Sequence, residues 1–190
     1  MTDPRQLKAT ERVITEIRTR SEAEPLPPQG GMLKQLSGEL RDGRPILILI
    51  DNRGSRLNRL FCKLFGLPAQ TNPAPAYIGL KGDALMLPAW FEKVDGRYSL
   101  NFGQHFDCRA SLDGESLPEH YREADVNGPV ARLSQQMQDM ISAVVPRNPS
   151  QWFWLNSRYT RRSNLRRLFA RGGDFRTYLE EQKAELQARR

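Results

Sequence analysis

The chain has 190 residues, 38% of them hydrophobic and 27% charged, which is enough apolar material for one buried core and excludes a disordered polyelectrolyte. Its net charge of +7 favours an anionic partner, either nucleic acid or a phosphate-bearing lipid surface. No apolar run approaches the roughly 20 residues that cross a bilayer, and the polar start Met1-Thr2-Asp3-Pro4-Arg5-Gln6 does not read as a signal peptide. Cys62 and Cys108 have neither zinc-site spacing nor the density of a disulfide framework, so ordinary thiols in a reducing compartment are expected, with no metal and no cofactor.

Asp3 is placed to cap a helix, Pro4 suits its first position, and Leu7, Val13, Ile14 and Ile17 form one apolar stripe, which predicts a helix from Asp3 to about Glu22. Glu24-Pro25-Leu26-Pro27-Pro28-Gln29-Gly30-Gly31 is a loop. Met32, Leu33, Leu36 and Leu40 return to helical spacing, and Gly43 stands where a left-handed cap would end a helix near Asp42. Ile46-Leu47-Ile48-Leu49-Ile50 is apolar on both faces and rich in β-branched side chains, the pattern of a central strand in a parallel sheet covered on both sides. Asp51 follows at its carboxyl end, where open α/β sheets collect their ligand-binding groups.

From Leu57 to Leu67, Leu60, Phe61, Leu64, Phe65 and Leu67 alternate with Arg59 and Lys63, which reads either as a core helix or as a lipid-facing patch. Asn72-Pro73 opens a short helix through Tyr77, Ile78 and Leu80 as far as Gly82. Asp95-Gly96 joins two strands, Ala84 to Val94 and Arg97 to Phe102, which pair antiparallel as a hairpin at one side of the sheet. Residues 103–125 are polar and irregular, and read as a loop. From Val130, the positions Leu133, Met137, Met140, Ile141 and Val144 share one helical face, with Pro129 near the start and Pro146 just past the end. Then come Gln151-Trp152-Phe153-Trp154-Leu155, read as packing in the core, and a basic run that ends in a charged helix from Asp174 to Arg190. The expected class is α/β: a layered, mostly parallel sheet with an antiparallel hairpin, flanked by helices, over residues 1–160, and a basic helical tail over 161–190.

Gly30-Gly31-Met32, the strand ending in Asp51, Phe65-Gly66-Leu67-Pro68-Ala69-Gln70-Thr71, Leu87-Pro88 before Asp95-Gly96, and Asn148-Pro149-Ser150-Gln151-Trp152-Phe153-Trp154-Leu155 occur in one fixed order. In that order the chain, from about Asp3 to Tyr159, resembles the C-terminal portion of the lipid A lauroyl and myristoyl acyltransferases of the lysophospholipid acyltransferase superfamily. The resemblance implies transfer of a fatty acyl chain from a thioester on acyl carrier protein, or from acyl-CoA, to a hydroxyl of a lipid A precursor or related glycolipid. It also implies a peripheral place on the cytoplasmic face of the bacterial inner membrane, within lipopolysaccharide biosynthesis. In that family a histidine followed by an acidic residue serves as general base, and it lies before the helix that begins here at Asp3. The isolated chain is therefore expected to lack that catalytic part and to transfer little. Two departures stand out: Asn156-Ser157 occupy the place of a family histidine, and Pro73-Ala74-Pro75 that of Thr-Gly-Pro.

His120 and Asp125 repeat the histidine-then-acid spacing, but on a helix that spacing turns the chain through roughly 140°, so base and orienting acid point apart. A chance match is preferred, with His105 and His120 as surface residues. Asp51 carries over onto the acid at the strand end, where positioning of the site and capping of the next loop both stay open. Arg53 and Arg56 are either phosphate contacts, to the acceptor or a phosphopantetheine donor, or solvated loop arginines; Thr71 and Arg158 complete the expected substrate-binding set. Arg161, Arg162, Arg166 and Arg167 make the expected surface for anionic headgroups, or else a solvated tail. The competing class is a non-catalytic membrane-surface or partner-binding module. Nucleic acid is not an expected partner, since no helix-turn-helix, RNA-recognition signature or zinc spacing accompanies the charge.

Overall fold

A computed structural model describes residues 12, 13, 15–17, 19, 20, 24, 31–53, 60–119, 121, 128–152, 154, 158 and 159. The chain divides into two compact units, Met1–Met32 and Leu33–Arg190. In the first, the described residues from 12 to 20 are helical, as the stripe through Val13 and Ile17 predicts, and Thr19 Oγ1 donates to the Thr15 carbonyl at 2.8 Å. The remainder of that predicted helix lies outside the described residues.

Helix α1 (Met32–Arg41) terminates as its sequence predicts. Gly43 adopts φ 79°, its N–H donates to Leu40, and the N–H of Arg44 donates to Glu39 at 2.9 Å, so the last carbonyls are satisfied by a left-handed terminus. The apolar segment 46–50 that follows departs from expectation. It is extended, but among the described residues it joins no sheet, and its side chains alternate: Ile46, Ile48 and Ile50 are half-buried, while Leu47 is 92% and Leu49 61% exposed. Apolar patterning selects extended backbone, but a strand becomes part of a sheet only when a neighbour meets its N–H and C=O groups.

Sheet pairing is instead local and antiparallel. Strands β1 (Leu60–Leu64) and β2 (Leu67–Thr71) form a hairpin through Phe65 and Gly66, both with positive φ, where the sequence had suggested a helix or a lipid-facing patch. Two consecutive left-handed residues match the twist of the flanking strands, which is why the chain reverses there. Helix α2 (Ala74–Lys81) follows as predicted, with Asn72 Oδ1 accepting from the Ala74 N–H at 3.1 Å. The hairpin at Asp95-Gly96 forms as expected, but the stretch from Ala84 to Val94 is two strands: β4 (Ala89–Val94) pairs with β5 (Arg97–Phe102), and β3 (Leu85–Met86), set off by Leu87-Pro88, belongs to another sheet. The segment read as a loop contains β6 (Phe106–Asp107), paired with β3, and helix α3 (Cys108–Leu112), capped by the Asp107 carboxylate on the Ala110 N–H at 3.1 Å. The class is therefore mixed α/β, with three two-stranded antiparallel sheets among the described residues rather than one layered parallel sheet.

Helix α4 (Pro129–Val144) is the centre of the core. Its residues Val130, Leu133 and Met137 pack with Ala76, Tyr77 and Leu80 of α2 and with Cys108 of α3. Further along, Ile141 and, just past the helix, Val145 pack with Leu64 of β1 and Ala69 of β2. Ile50 touches both clusters, which holds the unpaired segment against the body of the protein. Two glutamines close strand edges in the same way. Gln135 accepts from the Lys63 N–H at 2.7 Å and donates to the Lys63 carbonyl at 2.9 Å; Gln151 does the same at Lys93, at 2.8 and 2.7 Å. Each side-chain amide replaces the neighbouring strand that an edge residue lacks. Trp152 packs half-buried on the second cluster, as expected of the aromatic run, whereas Trp154 is 56% exposed beside Phe65.

Candidate functional site

The extended segment 45–51 forms one wall of a cavity of about 570 Å³ within the second unit. Ile46, Ile48 and Ile50 face it because alternate residues of an extended chain share a side. Opposite them stand Met137, Met140, Ile141 and Val144, the stripe that the helical spacing of α4 places on one face. Met86 and Trp90, from β3 and β4, contribute to the lining between. The volume falls in the range of small-molecule sites, and the lining is almost wholly aliphatic, thioether or aromatic. Five of the exposed apolar side chains, Leu47, Leu49, Leu85, Leu87 and Phe91, also border it.

Asp51, Glu92, Asn148 and Gln151 bring polar side chains to this lining, and two of its polar atoms stand out. Asp51 Oδ1 and Trp90 Nε1 are buried and have no hydrogen-bond partner among the described residues, and both residues line the cavity. A buried acceptor or donor left unmade costs about 1–3 kcal/mol, so the pair marks where a polar ligand atom would be bound most favourably.

Behind Asp51 lies a buried guanidinium. Arg158 is 3% exposed; its Nη1 donates to the Asp51 backbone carbonyl at 2.6 Å, its Nη2 to Gln138 Oε1 at 2.7 Å and Thr71 Oγ1 at 3.5 Å, and its Nε to the Gln70 carbonyl at 3.3 Å. The Gln70 N–H returns a bond to the Arg158 carbonyl at 2.8 Å. Burial lowers the pKa of the guanidinium, and the nearby Asp51 charge opposes that shift. Asp51, Thr71 and Arg158, chosen from the sequence, thus meet in one network, to which the structure adds Gln138, 1% exposed on α4. The signal for Gln138 was legible: with Ala131, Ser134 and Ile141 it lies on a second buried stripe of α4, where polar residues need partners.

Arg53 is half-buried beside this network in sequence, while Arg56, Arg161, Arg162, Arg166, Arg167, His120 and Asp125 lie outside the described residues. His105 is exposed, in the turn between β5 and β6. Neither thiol is suited to act as a nucleophile. Burial pushes Cys62 up to about 11, against a hydrogen bond from Thr71 and the Arg158 charge, and pushes Cys108 up to about 12. Both are protonated and inert at neutral pH.

A family model described as bacterial lipid A biosynthesis acyltransferase matches residues 1–161. The chain belongs to this family. The lipid A acyltransferase match occupies the N-terminal region of the chain rather than its C-terminal end, and it takes in the cavity, the Asp51 segment and Arg158. No curated protein gives a match. Membership of the lipid A acyltransferase family carries the general chemistry, an acyl donor and a lipid A acceptor. Among the described residues no helix is long and apolar enough to cross a membrane, and no group of three potential metal ligands occurs.

Proposed function

We propose that the cavity holds the fatty acyl chain during transfer from a thioester, on acyl carrier protein or coenzyme A, to a hydroxyl of a lipid A precursor. In this reaction the thioester C–S bond breaks, an ester C–O bond forms, and the hydroxyl proton leaves with the released thiol. The observation that carries the reading is an apolar cavity of acyl-chain character bordered by one orphaned carboxylate oxygen, that of Asp51. Each methylene that leaves water for this lining contributes about 0.8 kcal/mol, so chain length is read by how much of it the cavity accepts. Asp51 accepts a hydrogen bond from the acceptor hydroxyl, Trp90 Nε1 donates to an acyl oxygen, and Arg158 holds the Asp51 backbone in place. Arg53 and Arg56, which follow Asp51, and Arg161, Arg162, Arg166 and Arg167 meet phosphates of the substrates and of an anionic membrane surface at the cytoplasmic face.

Binding of a dansyl-labelled fatty acid tests the cavity. Ile48→Arg places a charge on its wall and is expected to weaken binding at least tenfold, and Met140→Gln to weaken it less; equal binding by both variants, with native circular dichroism, would overturn the reading. A transfer assay with acyl-carrier-protein thioester and a lipid A precursor tests the chemistry. Turnover that falls tenfold or more in Asp51→Asn, with fatty acid binding within about twofold, supports acyl transfer.

A second reading rests on the exposed position of His105, which leaves no described histidine at the cavity. A non-catalytic module of the same family would bind the fatty acid and anionic vesicles without turnover in any variant.

A further inference from the structure

We propose, on the acyl-chain reading above and dependent on it, that the seat of Met86 on Gly79 closes the deep end of the cavity and fixes the longest chain it accepts. The two ends of the cavity differ in what they touch. Asp51 and Trp90, with their unpartnered atoms, mark the polar end. From Asp51 the extended segment runs back to Pro45, a span of about 20 Å at strand spacing, and Pro45 and Leu40 line the cavity as well. Helix α2 points the same way. Gln70 and Thr71, just before it, share Arg158 with the Asp51 carbonyl, while its last turn meets α1, where Arg41 Nη2 donates to the Lys81 carbonyl at 3.4 Å. Pro75 therefore lies toward the polar end and Gly79, about one turn on, toward the far end; both line the cavity. Across from them Met86, Pro88 and Trp90 turn inward while Leu87 and Ala89 are exposed, so Met86 stands about 13 Å along the wall from Trp90, away from the polar end.

Gly79 is an interior residue of α2, where glycine is a poorer helix former than alanine, so its place there has a steric reason. A Cβ on it would stand 2.7 Å from Met86 Sδ, 3.3 Å from Met86 Cγ and 3.0 Å from Cys108 Sγ. The bare Cα is the surface on which the Met86 side chain lies. Cys108 is 0% exposed and packed with Ala76, Tyr77 and Leu80, which leaves it no space to retreat into. Met86 is half-buried, unbranched and borders the cavity, so a methyl group at position 79 displaces its thioether toward the cavity. The glycine thus keeps the thioether out of the space that the far end of an acyl chain occupies.

Displacement of a dansyl-labelled fatty acid by unlabelled saturated acids, from octanoate to palmitate, tests this on the full chain. In the unsubstituted protein affinity is expected to rise about fourfold per methylene up to a limiting length and then to level off. Gly79→Ala moves that limit about one or two carbons shorter, and Met86→Ala about two or three carbons longer. The double variant follows Met86→Ala, because the added methyl group then meets no thioether. Acids below the limit bind every variant within about twofold of the unsubstituted protein, whereas a purely structural defect lowers all lengths together. Thermal midpoints show which variants fold, and if Gly79→Ala does not, the shift in Met86→Ala decides alone. A limit unmoved in a folded single variant, or a uniform fall at every length, would overturn the proposal and leave the acyl-chain reading standing. Failure of the unsubstituted protein to bind a fatty acid of any length would overturn both.

Discussion

Arg158 Nη1 donates to the backbone carbonyl of Asp51 at 2.6 Å, joining residues 107 positions apart in the chain. It bonds the carbonyl and not the carboxylate, so the arginine fixes the end of the extended segment while the Asp51 side chain keeps a buried oxygen without a partner among the described residues. The segment that walls the cavity is therefore held at one end by Ile50 in the core and at the next residue by a guanidinium.

Removing that guanidinium is expected to unfold more than it frees. Arg158→Ala leaves Gln138 Oε1 and the Asp51 and Gln70 carbonyls without their donor in a buried site, a loss of about 3 kcal/mol. Arg158→Lys restores the charge but not the planar fork, and it recovers less than half of that. Urea midpoints at constant slope measure both; a midpoint unchanged in Arg158→Ala would show that the network contributes nothing.

Two glycines in neighbouring helical turns are expected to respond with opposite sign. A Cβ on Gly82 would stand 2.9 Å from Leu40 Cβ and 3.0 Å from the Ile78 carbonyl, so Gly82→Ala forces α1 and α2 apart and costs about 1–3 kcal/mol. Gly38, inside α1, has nothing within 4 Å of such an atom, and Gly38→Ala is expected to stabilise by about 0.5–1 kcal/mol. Thermal midpoints of the two single variants, measured side by side, check the sign of each.

Alkali should destabilise the fold through its thiols. Cys62 and Cys108 are raised from 9.0 to about 11 and about 12 in the folded protein, so between pH 9 and 11 the unfolded chain has released protons that the native one retains. Stability is thus full below pH 9 and falls as pH rises, by up to about 1.4 kcal/mol per pH unit for each thiol. Thiolate absorbance against pH, compared with the urea midpoint over the same range, measures the linkage; thiols that ionise near 9 in the folded chain would contradict it.

The edge glutamines are expected to show in hydrogen exchange before they show in stability. Gln135→Ala and Gln151→Ala each remove one donor and one acceptor from an exposed strand edge that water re-satisfies, so each costs about 1 kcal/mol or less. The amides of Lys63 and Lys93 accordingly lose protection in their own variant and not in the other.

Much of the local structure was legible because its signals are local. Gly43 marks a helix end, Asp95-Gly96 a hairpin, and the apolar stripe from Val130 to Val144 a core helix, each through backbone conformations or periodicities set within a few residues. The β1–β2 hairpin was missed because Phe65 adopts a positive φ, 50°, which bulky side chains rarely occupy, and because Leu60, Leu64 and Leu67 also fit a helical period. Helix α3 was missed because Cys108 is its one buried residue, too short a pattern to rise above the polar sequence around it.

By itself, then, the amino-acid sequence determined the family and the placing of Asp51 at the end of an apolar segment. Only the tertiary structure decided that Arg158 is buried and bonded to Asp51, Gln70, Thr71 and Gln138 rather than open to solvent, and that segment 46–50 is extended with no strand paired to it among the described residues. The physical reason is the same in both cases. A side chain's propensity is a property of its neighbours in sequence, whereas the satisfaction of its hydrogen bonds depends on groups that come from a hundred residues away.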